Sequence, residues 1–345
     1  MRLLACRSPG ELRVAAWEGG LVDYAIHRPG APDGVGDLHR GRVVAVVPAM
    51  AGTFVALDGA EGFLPDSEGT AGEGSVLGVR VTRAAQGGKG PRVSARLTAE
   101  EQTLVGQGAP ALLRRGPDAL ARLQALHPQA EVVVGRFEEA VEEAVAVLGS
   151  ARVQLAGGVV LQIHPTPALT AVDVDLSPVG RLGKASAQKE ANRALLPALA
   201  RQIRLRNLGG AILVDLAGMA LRKRAALAPD FIRALEADPL RPRFLGFSAL
   251  GLAEILRPRV HPPLHELLGS PHAAGLDGLR ALARAIAATP WHPPVLHVIR
   301  PIATALQGDP VALADMTGLA GQAPRLIIHA ALPAPGWSLE EPIRA

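Results

Sequence analysis

Residues 37–97 are divided into short apolar segments, and this division constrains the fold more than any other feature of the chain. Glycine, proline and aspartate interrupt the apolar residues at short intervals, so each segment fits a strand better than a helix. Many short strands joined by turns are typical of small barrels and not of parallel sheets. The spacing therefore predicts a small β-barrel in this part of the chain.

The sequence after the barrel alternates between helical and strand-like patterns. Apolar residues follow helical spacing over 98–148, about 185–207 and about 219–236, and strand patterns occupy 151–176 and 209–215. Strands and helices that alternate along a chain build layers of sheet and helix. We therefore predict a mixed α/β fold for this part of the chain.

The two ends of the chain carry weaker signals. Residues 11–29 alternate apolar and polar side chains around Gly19-Gly20, which predicts a hairpin. Residues 269–278 (GSPHAAGLDG) are rich in glycine and small residues and are interpreted as a linker. The residues after this linker are expected to form a small α/β domain.

Composition narrows the class of protein. The chain has 345 residues, of which 48% are hydrophobic, and its formal net charge is +4. Its one cysteine, Cys6, excludes an internal disulfide framework and a thiolate-rich zinc site. His261 and His265 have metal-ligand spacing, but Pro262-Pro263 breaks the helix that this spacing needs. No apolar run approaches a membrane span of about 20 residues, and the first residues are too polar for a signal peptide. We expect a cytoplasmic protein with no membrane contact and no zinc.

Three acidic residues at strand ends could support metal chemistry. Asp173 and Asp175 are two positions apart in a strand and therefore share one face. Asp215 ends the apolar strand GGAILVD. Clustered carboxylates repel one another unless a cation neutralises them, and Mg²⁺ binds one or two carboxylates together with phosphate and water. Metal-assisted phosphodiester hydrolysis is one interpretation, and solvated strand ends are the other.

The barrel segment and a later basic run could bind nucleic acid. Phe54 and Phe63 lie in the barrel segment, in a chain with only 3% aromatic residues. Aromatic faces near cations are what a single-strand-binding OB-fold requires, although two phenylalanines can equally be core residues. Arg257 and Arg259 could clamp phosphates, although such a run is often only a solvated face. The cations near the phenylalanines in sequence are His39, Arg40, Arg42 and Lys89.

Several of these segments, in the same order, resemble the catalytic half of the ribonuclease E/G family. This chain has counterparts of five family segments. They are the opening strands, the OB-fold of the ribosomal S-one type, the two segments with catalytic acids and the motif after them. The segments are ELRVAAWEGGLVDYAIHRP, GDLHRGRVVAVVPAMAGTFVALDGAEGFLP with AAQGGKGPRVSARL, LAGGVVLQIHPTPALTAVDVDLS, ARQIRLRNLGGAILVDLAGM and FSALGLAEILRPRV.

The resemblance implies a division into domains. Residues 1–35 and 98–149 would form a ribonuclease-H-like layer, with an OB-fold RNA-binding barrel over 36–97 inserted into it. Residues 150–268 would form a DNase-I-like catalytic layer. Residues 269–345 would be the linker and the small C-terminal domain. The fold class is therefore expected to be mixed α/β with an inserted OB-fold barrel.

The resemblance also implies an activity and its residues. The family's enzymes are Mg²⁺-dependent endoribonucleases that cleave single-stranded RNA to leave 5′-phosphate and 3′-hydroxyl ends. Asp173 and Asp215 would hold the Mg²⁺, for which Mn²⁺ could substitute, and Asp175 would be a third catalytic residue at a position where the family usually has asparagine. The residues matched to RNA contacts are Phe54, Phe63, Arg40, Arg42, Lys89, Arg257 and Arg259.

Three departures from the family pattern modify this expectation. The Arg-Thr-Ala-Gly signature of the family's 5′-monophosphate sensor is absent, so we expect no dependence on a 5′-monophosphate. The paired cysteines that link two subunits through zinc are absent, so a homo-oligomer would not be zinc-linked. Gly218 replaces an acid that usually follows the second catalytic aspartate.

Two alternatives stay open at this point. The chain could be a non-catalytic RNA-binding protein on the same scaffold, acting in ribosomal RNA maturation or as an RNA chaperone. It could also be a metal-dependent phosphatase or nuclease for small or DNA substrates. The barrel disfavours this last alternative, because small substrates need no stacking platform.

Overall fold

The computed structural model describes residues 1–176, 185–216, 218–289 and 293–339. Contacts divide the chain into two compact units. The first unit contains residues 1–33, 117–144 and 265–345, and the second contains residues 34–116 and 145–264. The four domain boundaries that the sequence suggests stay a prediction.

The secondary structure of the described residues is as follows. The strands are β1 (Arg2–Ser8), β2 (Glu11–Trp17), β3 (Leu21–His27), β4 (Leu38–Val47), β5 (Gly52–Ala56), β6 (Glu61–Pro65), β7 (Val76–Arg83), β8 (Arg92–Ser94), β9 (Ala111–Arg114), β10 (Glu131–Val134), β11 (Arg152–Gln154), β12 (Val160–Pro165), β13 (Leu169–Asp175), β14 (Gly210–Asp215), β15 (Arg243–Phe247), β16 (Ala253–Arg257), β17 (Val295–Ile299), β18 (Arg325–His329) and β19 (Trp337–Ser338). The α-helices are α1 (Ala99–Val105), α2 (Ala119–Leu126), α3 (Glu139–Ala146), α4 (Ala185–Leu205), α5 (Leu221–Arg224), α6 (Ala228–Leu235), α7 (Leu264–Leu268), α8 (Pro271–Ala288), α9 (Arg300–Gln307) and α10 (Pro310–Ala320). Short 3-10 turns occupy Pro48–Met50, Asp66–Glu68, Val147–Gly149, Ala156–Gly158 and Ala225–Leu227.

Strands β4 to β8 close into a five-stranded barrel in the second unit. Their hydrogen-bonded order is β5-β6-β8-β7-β4, and β4 pairs with β5 to complete the circle. All neighbours are antiparallel except β6 and β8, which run parallel. This arrangement is OB-like and confirms the predicted barrel. The side chains that fill its interior are Val55, Leu57, Leu64, Val79, Val81 and Val93.

The second unit also contains a six-stranded sheet of order β11-β12-β13-β14-β16-β15. Strands β13 and β14 are parallel, and the other neighbours are antiparallel. Alternate residues such as Val172 and Val214 are buried, because they pack against Leu199 of α4 and Phe231 of α6 in one apolar core. The residues of this core do not lie on the opposite face of the sheet, which we call the open face. The arrangement of sheet and helices in layers confirms the mixed α/β prediction.

The first unit contains a four-stranded sheet of order β10-β1-β2-β3, against which α2 packs. Strands β2 and β3 form the hairpin that the alternation predicts, and Gly19 supplies the left-handed turn with φ +63°. A three-stranded sheet of order β18-β17-β19 lies with α8, α9 and α10 around a separate core. The fully buried residues of that core include Leu276, Leu279, Leu282, Leu296, Val298, Leu306 and Met316.

The interpretation of residues 269–278 as a linker is wrong, because helix α8 begins within them. Ser270 caps this helix by accepting a hydrogen bond from the Ala273 amide at 3.1 Å, and Pro271 occupies its first turn. Gly275 permits close packing, since a Cβ there would lie 2.7 Å from Leu306. The small residues that suggested flexibility are therefore required for tight helix packing.

Among the residues that the structure describes, no helix is long and apolar enough to cross a membrane.

Candidate functional site

Asp173 and Asp215 lie side by side at the ends of two parallel strands. They are directly opposed in the pairing of β13 with β14, so their Cα atoms are about 4.8 Å apart. Both side chains are exposed, whereas Val172, Val174 and Val214 next to them point into the core. The two carboxylates therefore project from the open face of the sheet.

The neighbouring strands add polar side chains to this face. Gln162 of β12 is opposed to Asp173, and Glu254 of β16 is opposed to Leu213. Asp175 shares the face of Asp173 and is half-buried at the end of β13. The open face thus carries several side-chain oxygen atoms of the kind that bind metal ions. Close to the Asp173–Asp215 pair it also has an excess of negative charge.

Arg224 is a site residue that the sequence did not indicate. This buried side chain, at the end of α5, donates from Nη1 to Asp215 Oδ1 at 2.9 Å and to the Gly251 carbonyl at 2.8 Å. Its Nε donates to the Met219 carbonyl at 3.1 Å. The guanidinium is therefore held in place by the backbone and fixes the orientation of Asp215, which is itself 55% exposed. No pattern in the sequence links Arg224 to Asp215, because the contact depends on how the chain turns after β14.

Gly218 has a backbone conformation that suits glycine. Its φ is +68°, and a Cβ at this position would lie 3.1 Å from the Gln188 side chain. An acid at this position would need both a strained backbone and a shift of Gln188. The backbone at position 218 therefore suits glycine better than the acid that the family resemblance leads one to expect there.

The donor set suits a hard divalent cation. Asp173 and Asp215 supply oxygen ligands from adjacent strands, which is the set that Mg²⁺ takes when substrate phosphate and water complete its shell. Within the described ranges there is no group of three or more histidine, cysteine, aspartate or glutamate side chains that could hold a metal. The fit is therefore to a two-carboxylate site.

Phe54 and Phe63 form an aromatic pair on the outside of the barrel. They are directly opposed in the pairing of β5 with β6, and their ring centroids are 5.5 Å apart in an edge-to-face arrangement. Both are half-buried, whereas Val55 and Leu64 beside them fill the interior. Gly52 leaves room for the Phe63 ring, since a Cβ there would lie 2.3 Å from it. The two rings are therefore not core residues.

Two arginines extend this aromatic pair along the barrel surface. Arg92 of β8 is opposed to Phe63 in the parallel pairing, and Arg83 of β7 is opposed to Arg92. The four side chains Phe54, Phe63, Arg92 and Arg83 thus form one row across four strands, which we call the barrel row. Arg83 and Arg92 flank the Gly87-Gly88 turn in the sequence, a spacing from which their opposition across two strands could have been predicted.

The other predicted RNA-contacting residues of the barrel have different surroundings. Arg40 donates to the carbonyls of Ala109 at 2.8 Å and Val105 at 3.0 Å, so it fixes the segment after α1. Arg42 donates to the Gly74 carbonyl at 3.0 Å. Lys89 is exposed in the turn that Gln86 and Lys89 close. The structure brings none of these three into the barrel row.

Arg257 and Arg259 are two residues apart but have different environments. Arg257 is 3% exposed and donates to Asp238 at 2.7 Å and to Asn207 Oδ1 at 2.8 Å. Arg259 makes no hydrogen bond or ion pair within the part of the chain that the structure describes. It lines an open pocket together with other arginines of the second unit. RNA contacts by either residue stay a prediction.

Comparisons with known proteins agree on one family. A sequence model described as the Ribonuclease E/G family matches residues 113–260, a range that includes Asp173, Asp215 and Arg259. Ribonuclease E of Synechocystis sp. is 37% identical over 125 residues, which are 35% of this chain and 18% of that protein. Ribonuclease E of Nostoc sp. is 35% identical over 148 residues, or 41% of this chain and 20% of that protein. Ribonuclease G of Escherichia coli K12 is 35% identical over 119 residues, or 34% of this chain and 24% of that protein. The matched segments therefore span less than a quarter of these relatives.

Proposed function

We propose that the chain acts as a member of the ribonuclease E/G family, whose sequence model matches residues 113–260, and that it is a Mg²⁺-dependent endoribonuclease that cleaves single-stranded RNA. The observation that carries the proposal is the pair Asp173 and Asp215, opposed on adjacent parallel strands and exposed on the open face of the sheet. The family match covers both residues. Hydrolysis in which water adds to phosphorus and the 3′ oxygen leaves would give 5′-phosphate and 3′-hydroxyl ends.

Asp173 and Asp215 would hold the metal ion, and Mn²⁺ could replace Mg²⁺ there. The chemistry that such an ion supplies is activation of water and neutralisation of charge on the scissile phosphate. Arg224 would keep the Asp215 carboxylate in one orientation through its bonds to the backbone at Met219 and Gly251. Asp175, on the same face as Asp173, would add negative charge that favours a cation over an empty site.

The barrel would hold the RNA strand. Bases would stack on Phe54 and Phe63, which are half-buried on its outer face, because aromatic faces accept any base. We propose no preference for a 5′-monophosphate, since the Arg-Thr-Ala-Gly signature is absent. The ribonuclease-H-like and DNase-I-like assignments of the layers around the barrel belong to the same proposal.

A second function is favoured by two features of the acidic site. The ion pair of Arg224 with Asp215 already neutralises part of the charge that a metal would neutralise, and Gly218 lacks the usual acid. A non-catalytic RNA-binding protein on the same scaffold would keep the barrel and lose metal-dependent cleavage.

A cleavage assay separates the two functions. A single-stranded RNA of about 20 nucleotides, longer than one OB-fold site, is incubated with Mg²⁺ or with EDTA. We expect Mg²⁺-dependent products from the wild type, and a loss of at least about a hundredfold in Asp173→Asn and Asp215→Asn. RNA affinity measured in EDTA should not change in either variant.

The matched control is Glu236→Gln, which removes an exposed acid of the second unit away from the open face. Glu236→Gln should cleave the RNA at the rate of the wild type. The wild type should cleave substrates with a 5′-phosphate and with a 5′-hydroxyl end at equal rates. RNA binding by the wild type without any metal-dependent product would favour the non-catalytic function.

A further inference from the structure

An open pocket of about 450 Å³ in the second unit is lined by arginines from three parts of the chain. Arg83 and Arg92 come from the barrel strands β7 and β8, and Arg259 follows β16. Arg241 and Arg243 precede and begin β15. We call this set of five residues the arginine pocket. Arg257 also lines it, but its charge is matched by Asp238.

The charges of the arginine pocket have no acidic partner among the described residues. None of its five arginines makes an ion pair or a side-chain hydrogen bond with any residue that the structure describes. The Nε of Arg83 is buried without a hydrogen-bond partner. Burial, followed by the charges of Arg92 and Arg259, lowers the pKa of Arg83 from its ordinary value. Like charges held together without a counter-charge are unfavourable, so the pocket is suited to an anion.

The backbone is shaped to keep two of these arginines in the pocket. The Arg259 side chain lies over Gly210, where a Cβ would come within 2.5 Å of its Nε. Arg241 adopts φ +52°, a left-handed conformation that is costly for a residue other than glycine, and its amide bonds to the Asp238 carbonyl at 2.9 Å. Strain of this kind persists where the surrounding structure enforces a position, and Arg241 in this conformation lines the pocket with the other arginines.

The arginine pocket continues the barrel row. Arg92 and Arg83 belong to both, so the cations begin where the aromatic pair Phe54 and Phe63 ends. Successive strands are about 4.8 Å apart, so the row from Phe54 to Arg83 extends for about 14 Å. Aromatic faces followed by guanidinium groups suit a single strand whose bases stack first and whose backbone then meets positive charge.

We propose that the arginine pocket binds internal phosphodiester groups of the RNA strand that stacks on Phe54 and Phe63. It is thus a second anchor for the substrate, composed of residues outside the Asp173–Asp215 pair. This inference rests on the proposed binding of single-stranded RNA, but not on cleavage. The ligand is the backbone of a continuing strand, because the pocket is open and its five unpaired guanidinium groups exceed what one terminal phosphate requires.

The test measures RNA affinity by fluorescence anisotropy in EDTA, as a function of salt concentration. The variant is Arg92→Gln/Arg243→Gln, and the matched control is Arg300→Gln/Arg325→Gln, which removes two exposed arginines of the first unit. Each lost phosphate contact lowers the slope of log affinity against log salt by about 0.7 for a single strand. The pocket variant should therefore lose about 1.4 of slope and bind at least about tenfold more weakly, and the control should change neither.

Further measurements identify the ligand of the arginine pocket and separate a failure of this inference from a failure of the proposed RNA binding. A circular RNA, which has no 5′ end, should lose as much affinity in the pocket variant as a linear RNA does. Phe63→Leu should weaken binding with an unchanged slope, because stacking releases no counterions. Loss of affinity confined to 5′-phosphorylated linear RNA, or an unchanged slope in the pocket variant, would overturn the inference while RNA binding stands. Failure of the wild type to bind RNA would instead overturn the proposed function.

Discussion

Two groups of arginines in this molecule have opposite surroundings. In the first unit, Arg13, Arg28 and Arg280 are largely buried and each forms an ion pair with at least one carboxylate. In the second unit, the five residues of the arginine pocket have no acidic partner among the described residues. We infer from this comparison that the presence of an acid decides whether a cluster of guanidinium groups is neutralised within the fold or is available to an anionic ligand.

The paired group depends on very few acids. Glu11 is 5% exposed and accepts hydrogen bonds from Arg28 at 3.0 Å and from Arg280 at 2.5 Å. Glu142 accepts two bonds from Arg13, at 2.7 and 2.8 Å, and the Arg13 guanidinium lies 4.8 Å from the centre of the Phe137 ring. Loss of one acid would therefore leave up to two buried cations unmatched.

The largest effect on stability is expected from Glu11→Gln. The substitution leaves two largely buried arginines without a carboxylate, and the loss of one partner from a buried ion pair costs about 3–5 kcal/mol. Denaturant unfolding followed by circular dichroism measures the difference. Glu18→Gln is the control, because this acid is 63% exposed, pairs with the terminal amine and should contribute less than about 1 kcal/mol. Equal losses in the two variants would show that the paired arginines do not stabilise the first unit.

The second prediction compares two arginines of one short motif. Arg257→Gln leaves Asp238 buried with no cation and should lower the free energy of unfolding by about 3 kcal/mol. Arg259→Gln should change it by less than about 0.5 kcal/mol, because no partner is lost. RNA affinity, measured below the unfolding transition of each variant, should fall more in Arg259→Gln than in Arg257→Gln. A larger stability loss in Arg259→Gln would contradict the distinction between paired and unpaired arginines.

Much of the fold could be predicted because its signals are local. Short strands between turns predicted the barrel, and apolar alternation predicted the β2–β3 hairpin. The resemblance to the family singled out Asp173 and Asp215 together, and they are neighbours because their two strands are adjacent. The sequence could not show whether Phe54 and Phe63 lie in the core or on the surface, because this depends on the strand register.

The rest depends on contacts between distant segments. Asp238, which lies 19 residues before Arg257, holds Arg257 in a buried ion pair, and no spacing rule distinguishes Arg257 from Arg259. Arg83, Arg92, Arg241 and Arg243 belong to three strands and a loop, so only the tertiary structure brings them together. The first part of helix α8 was missed because Gly275 serves close packing against α9 and Gly278 serves close packing against β17 and β19.

The third prediction concerns pH and the Arg13–Glu142 pair. Burial alone would raise the pKa of Glu142, but the bonds and charge of Arg13, with the charges of Arg280 and Arg284, lower it below its ordinary value of 4.5. A lowered pKa adds stability that is present above pH 4.5 and is lost as the pH falls through the value of the folded protein. Glu142→Gln should therefore cost about 1 kcal/mol near pH 7 and progressively less in more acidic solution. Thermal unfolding across this pH range measures it, and a constant difference between wild type and variant would contradict the prediction.

The smallest effect on stability is expected from Arg92→Glu, which supplies the arginine pocket with the acid that it lacks. A carboxylate beside Arg83 relieves repulsion and can form a partly exposed ion pair, so the free energy of unfolding should stay equal or rise by about 0.5 kcal/mol. RNA binding should nevertheless fall further than in Arg92→Gln, because a fixed negative charge competes with phosphate for the remaining arginines. Chemical denaturation and anisotropy on the same preparation measure both quantities. A variant that lost stability but kept its RNA affinity would assign the arginine pocket to the fold, like the paired arginines of the first unit.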